Sequence, residues 1–145
     1  LPIEHIKDMV DYGIIGILIL MSILTISLSI ERFLFFKRID LRNYPSKKML
    51  ELDLSKNLGA IATIGSSAPY VGLLGTVLAI ILTFYVIGSQ KGDIDTGEIM
   101  KHLALALKAT AAGLLVAIPA SVFYNIFMDK VDRILIRWDI LYNKD

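Results

Sequence analysis

A run of about 20 residues without a single charge, APYVGLLGTVLAIILTFYVI at positions 68–87, is long enough to cross the hydrocarbon core of a bilayer as a helix, and the rest of the chain reads as its support. At about 100° per residue around that helix, Gly65, Pro69, Gly72, Thr76, Ala79 and Thr83 gather in one narrow stripe. The opposite surface carries Leu74, Val77, Leu78, Ile81 and Leu82. One face therefore suits lipid or bulky packing, and the other admits close helix approach or a narrow polar passage. Two readings of the stripe stay open at this point, a packing groove and a pore lined by Thr76.

Composition supports a bilayer setting. Of 145 residues 55% are hydrophobic, with a formal net charge of +1, and the mean hydropathy is +0.64. Values that high, combined with long uncharged runs, predict an integral membrane protein in one domain spanning 1–145 and leave no room for a second large one. The absence of cysteine excludes a disulfide framework and a thiolate metal site. A near-neutral charge gives no case for nucleic acid as a partner. The segment before the first apolar run carries Glu4, Lys7, Asp8 and Asp11, unlike the basic start of a signal peptide.

The first apolar run, 12–30, is bracketed by Asp11 and Glu31 and predicts a membrane helix continuing to about 36. Its Ser22, Thr25, Ser27 and Ser29 can bond back to helix carbonyls without a functional role. Glu31, Arg32, the stretch 33–36, Lys37 and Arg38 read as a helix leaving the membrane with its basic side chains snorkelling. In the segment 37–67, Asn43, Tyr44, Pro45 and Ser46 make a helix start, with proline in the first turn and serine as cap. Leu50, Leu54, Leu58 and Ile61 then recur at helical spacing, which predicts one short helix running up into the second span, about 68–88. A turn over 89–96, with Gly92, Asp93 and Asp95, follows. Asp95 or Thr96 caps the next helix, and Glu98 is placed to complete a capping box.

The third span covers about 103–128, within a helix that begins as early as Glu98 and continues through 129–145. Beyond the span, Val131, Ile134, Leu135, Trp138 and Leu141 keep an apolar face opposite Asp132, Arg133, Arg137 and Asp139. Such a face needs a partner, and the similar face from Leu50 to Ile61 is the candidate. The architecture expected is all-α with three transmembrane helices, spans two and three extended into the cytoplasm. Basic residues concentrate after the first span, at Arg32, Lys37, Arg38, Arg42, Lys47, Lys48 and Lys56, which places that segment and the C-terminal tail inside and the N-terminus outside.

Span three repeats the stripe of span two. Ala106, Thr110, Gly113, Ala117, Ser121 and Asn125 lie within roughly 60° of Thr110, and such a polar line in a bilayer must face other helices or a water-filled cavity. Pro69 and Pro119 each free a carbonyl, of Gly65 and Leu115, which can kink the helix, accept from a neighbour or hydrate a transient ion. No Asp, Glu or His stands at the centre of a span, so any proton carrier must come from a partner. Lys108, the one charge near a span, either snorkels outward or sits in a cavity as counter-charge to a partner's acid. His5 and His102 are not spaced with carboxylates as a metal site and read as surface residues. An enzyme reading lacks a base to activate any span serine, and there is no glycine-rich phosphate loop.

Two segments, APYVGLLGTVLAI at 68–80 and ALALKATAAGLLVAIPASVFYN at 104–125, together resemble the ExbB/TolQ/MotA family of proton-channel subunits. The resemblance covers spans two and three closely, and span one with its Glu31-Arg32 ending more loosely. It implies a ring of five copies whose second and third spans line a passage. Inside the passage the resemblance places single-span helices of an ExbD/TolR-type partner bearing a membrane aspartate, with proton flow driving work passed on to a TonB-type protein and outer-membrane import. By position, Thr76 and Thr110 match the family's motif threonines, Asn125 the asparagine at the cytoplasmic end, and Pro69 and Pro119 the family prolines. The expected passage-lining set is Thr76, Ala79, Thr83, Thr110, Gly113, Ala117, Ser121 and Asn125, with Pro69, Gly72, Gly75 and Pro119 shaping the helices. The location this implies is a bacterial inner membrane, with no cofactor or metal. Two departures stand out: Leu105 replaces a glutamate found in several relatives, which excludes a glutamate-based step, and Lys108 replaces an apolar residue. The length fits a compact ExbB better than a flagellar stator subunit. A TolQ-like subunit of an envelope system and a purely structural scaffold remain alternatives.

Overall fold

A computed structural model describes residues 3–89, 92 and 95–143, with side chains from residue 5 onward. The described residues form α1 (Ile3–Arg38), a 3-10 turn (Leu41–Asn43), α2 (Lys47–Leu54), α3 (Leu58–Ser89) and α4 (Thr96–Tyr142). Three of these helices, α1, α3 and α4, are long and apolar enough to cross a membrane. Asp93 of the expected turn, the side chain of Glu4 and the last two residues of the expected C-terminal helix lie outside the described residues.

Helices α3 and α4 run antiparallel and pack along their small-residue stripes, and α1 lies across the pair. The packing direction follows from paired contacts: Ile14 of α1 meets Gly75 of α3, and Phe36 near the end of α1 meets Phe127 of α4 with ring centroids 5.8 Å apart. Outward, Ile17, Ile19, Leu20, Ile23, Ile26 and Ile30 of α1 are exposed, a lateral apolar surface suited to lipid tails rather than water. Pro69 and Pro119 lie inside continuous helices. Membrane helices tolerate such prolines because neighbouring groups re-satisfy the freed carbonyls.

Beyond the bundle, α2 packs against the far part of α4, and the two apolar faces foreseen from their periodicity meet. Leu50, Leu54, Leu58 and Ile61 are essentially fully buried, together with Val131, Ile134 and Leu135. Each such leucine or isoleucine contributes about 1.5–3 kcal/mol. Trp138 Nε1 donates to the carbonyl of Tyr44 at 3.2 Å, and Lys47 Nζ pairs with Asp139. The hydrogen bond from Lys47 holds the Asp139 carboxyl below the usual carboxylate range.

Four local expectations need correction. The helix from residue 46 does not run unbroken into span two: it stops at Leu54, and Asn57 turns the chain in the left-handed region at φ 69° before α3 begins. Asparagine tolerates that conformation better than most residues. The interruption is fixed from α1. Arg32, expected to snorkel, is 1% exposed, and its guanidinium donates to the carbonyls of Asp53 at 2.6 Å and Leu54 at 3.1 Å. Those are carbonyls at the C-terminal end of α2, which would otherwise lack partners. Glu31 pairs with the same guanidinium through both oxygens, and Phe35 lies against it at 4.4 Å. Third, Ser46 caps α2, accepting from Met49 N, which puts Pro45 before the cap rather than in the first turn. Fourth, Asp95 caps α4, accepting from Gly97 N at 2.9 Å, while Glu98 turns to His102 at 3.6 Å instead of closing a capping box.

Candidate functional site

The stripes of α3 and α4 meet because neither presents bulk at the crossing. A Cβ on Gly113 would fall 2.6 Å from the Ala68 carbonyl and 3.0 Å from Gly72 Cα. A Cβ on Gly65 would fall 2.7 Å from Ser121 Oγ, about two turns from the Gly72–Gly113 approach. Gly75 is wedged between Ala109 and Ile14, so it seats α1 as well as α4. Helices that approach this closely bring polar side chains within bonding distance of the opposite backbone.

One turn from Gly113 toward the α4 start, the crossing becomes polar. Thr76 Oγ1 lies 2.5 Å from Thr110 Oγ1 and 2.9 Å from the carbonyl of Ala106. That carbonyl is the one four residues before Thr110, to which a helical threonine would ordinarily donate. With Thr76 at that carbonyl, the Thr110 hydroxyl pairs with Thr76, either oxygen being able to donate, and Thr110 keeps acceptor capacity for an outside donor. Thr76 is buried, whereas Thr110 is half-buried. Thr83 is also buried, its hydroxyl returned to the Ala79 carbonyl at 2.8 Å.

The expected lining set thus divides by position. Thr76, Ala79, Thr83, Gly113 and Ala117 are buried between the helices of the single chain. Ser121 and Asn125 are exposed, and with half-buried Thr110 they fall along one side of α4. Ala109 and Ala112, which line the cleft with Ile14 and Ile15 of α1, occupy a different side. Gly72 and Gly75 sit at the closest approaches. Lys108 is exposed and lines that cleft between α1 and α4.

Among the described residues no group of three or more His, Cys, Asp or Glu side chains could hold a metal ion. His102 accepts from Lys7 Nζ at 3.0 Å through Nδ1. Arg32 is the residue that the amino-acid pattern misjudged. Its signal was an arginine set among phenylalanines at the end of an apolar run, where snorkelling and burial look alike.

Comparison with known proteins decides the family. The model of the MotA/TolQ/ExbB proton channel family matches residues 37–140, which contain both stripes, the Thr76–Thr110 contact and the docked α2. The chain belongs to the MotA/TolQ/ExbB proton channel family. Biopolymer transport protein ExbB of Aquifex aeolicus is 51% identical over 141 residues, covering 97% of this chain and 95% of that protein. A putative biopolymer transport protein ExbB-like 2 of Helicobacter pylori is 54% identical over 137 residues, covering 94% and 91%. ExbB of Neisseria gonorrhoeae is 40% identical over 97 residues but is matched over only 42% of its own length. Within the MotA/TolQ/ExbB family, then, the chain is similar end to end to compact ExbB proteins, and with its three apolar helices it is a multi-pass membrane protein of the proton-channel class.

Proposed function

We propose that the chain is the channel-forming subunit of a TonB-ExbB-ExbD-type complex, which uses the proton-motive force of a bacterial inner membrane to power outer-membrane nutrient import. The observation that carries this reading is the Thr76–Thr110 pair, a hydroxyl presented at the edge of the helix crossing and polarised from behind. Copies assemble as a ring, a pentamer, with the Thr110, Ser121 and Asn125 side of α4 toward the passage. A single-span ExbD-type partner supplies the titratable aspartate that the spans of this chain lack at their centres. A TonB-type protein takes up the work. The N-terminus faces the periplasm, and α2 with the far part of α4 faces the cytoplasm, following the basic residues of 32–56.

The test is proton flux in vesicles holding this chain with its single-span partner, under an imposed pH gradient. Flux that requires both the partner's aspartate and Thr110 supports the reading, and flux unchanged in Thr110→Val overturns it. A scaffold reading draws on the Gly72–Gly113 approach. It expects normal energy-dependent uptake in Thr110→Val cells and failed assembly in Gly72→Leu. Uptake measured beside envelope integrity separates the TonB-type role from a TolQ-like one.

A further inference from the structure

Between the first turns of α1 and the first turns of α4 lies a cleft of about 690 Å³, within the range of about 300–1,000 Å³ typical of ligand sites. Its floor is apolar and smooth, built from Ile14, Gly75, Ala79 and Ala109. Ile15 and Leu105 line it too, and both are exposed on the lateral surface of the bundle, so the cleft opens where lipid tails would lie.

Its rim carries charges of both signs. Lys7, Asp8 and Asp11 come from α1, and His102 and Lys108 from α4. Lys7 is held across the mouth by its bond to His102, leaving two ammonium hydrogens for another acceptor. Asp8, Asp11 and Lys108 have no hydrogen bond or ion pair among the described residues. A cation and two carboxylates that line one cleft without pairing match a ligand that carries both charges itself.

We propose that this cleft binds a phospholipid with a primary-amine headgroup, phosphatidylethanolamine. Its phosphate meets Lys7 and Lys108, its ammonium donates to Asp8 and Asp11, and part of one acyl chain lies along Ile15 and Leu105 at the exposed edge of the cleft. A phosphatidylglycerol headgroup brings hydroxyl donors but no cation to offset the two carboxylates, and a choline headgroup has no N–H to donate to them. This assignment stands apart from the proton passage proposed above, because none of its charged groups belongs to the Thr76–Thr110 crossing.

The test is lipid retention. The full complex is placed in vesicles of equal parts phosphatidylethanolamine, phosphatidylglycerol and phosphatidylcholine, extracted gently, and its bound lipid identified by mass. Phosphatidylethanolamine should be retained in preference to both others. The double variant Asp8→Asn with Asp11→Asn should lose that preference over phosphatidylglycerol by about tenfold, the scale of one hydrogen bond to a charged group. Lys108→Gln should weaken retention of every phosphate-bearing lipid. A photoactivatable side chain at Ile15 should cross-link to lipid. Equal retention of the three lipids in the parent protein, or cross-linking of Ile15 to a second copy of the chain, overturns the assignment.

Discussion

Thr76 occupies the Ala106 carbonyl that Thr110 would otherwise use, and the two hydroxyls stand 2.5 Å apart. Thr76 is buried and Thr110 half-buried, so of the two hydroxyls only that of Thr110 borders the outside of the α3–α4 crossing. Thr76→Ser should keep the bond and leave stability nearly unchanged. Thr76→Val should cost about 0.6–1.7 kcal/mol, the range for a side-chain bond between membrane helices. Reversible unfolding in detergent measures the difference, and equal stability of the two variants would contradict this role.

At Gly72 and Gly113 the obstacles are backbone atoms, which cannot move aside as a flexible side chain can. Gly113→Ala should force α3 and α4 apart and destabilise by at least about 1–3 kcal/mol, seen as loss of folded protein on extraction. Gly13→Ala and Gly59→Ala meet nothing within 4 Å, and should be extracted at the parent level. Similar loss at all three positions would mean the close approach is not what matters.

Arg32 is buried with its guanidinium shared between Glu31 and the last carbonyls of α2. Glu31 is 44% exposed and passes to water when the guanidinium goes, but the Asp53 and Leu54 carbonyls lose a charged donor, a bond worth about 1.5–3 kcal/mol. Arg32→Ala should therefore loosen the corner at 55–57 and open it to limited proteolysis. Arg32→Lys should not rescue it, because an ammonium cannot reproduce the planar fork that reaches Glu31 and two carbonyls together. Cleavage at the parent rate in both variants would be the contrary result.

The single tryptophan, Trp138, reports on the docking of α2 against α4 through its bond to Tyr44. The Asp139 carboxyl beside it is held below its ordinary value of 3.8. A lowered folded pKa means that the contribution of the Lys47 pair is fully present above about pH 4 and is lost as pH falls through the lowered value. Trp138 emission should shift toward the solvated form over that acid range. In Asp139→Asn that component of the shift should be missing, and an identical titration in both proteins would rule the pair out.

The three long helices were legible because charge-free runs bounded by Asp11, Glu31, Lys108 and Asp129 admit little else in a chain this apolar. The docking of α2 on α4 was legible too, since Leu50, Leu54 and Leu58 and Val131, Ile134 and Leu135 are complementary stripes. The break at 55–57 was not, because the leucine spacing continues across it while the interruption is imposed by Arg32 from another helix. Periodicity likewise gathered the two threonine stripes. It could not say which members the chain itself covers, because that depends on the side of the α3–α4 pair on which α1 comes to rest.

Helix α4 runs without interruption through 47 residues, a rod of about 70 Å at 1.5 Å per residue. Thr110 stands about 20 Å from its start, and the α2 docking site lies near its far end. A continuous helix transmits tilt rather than absorbing it, so a rocking of about 5° about its first turns would carry Tyr142 through about 6 Å. An event at a single hydroxyl inside the bilayer would thus be read as a displacement of a whole side chain's width at the opposite end of the molecule.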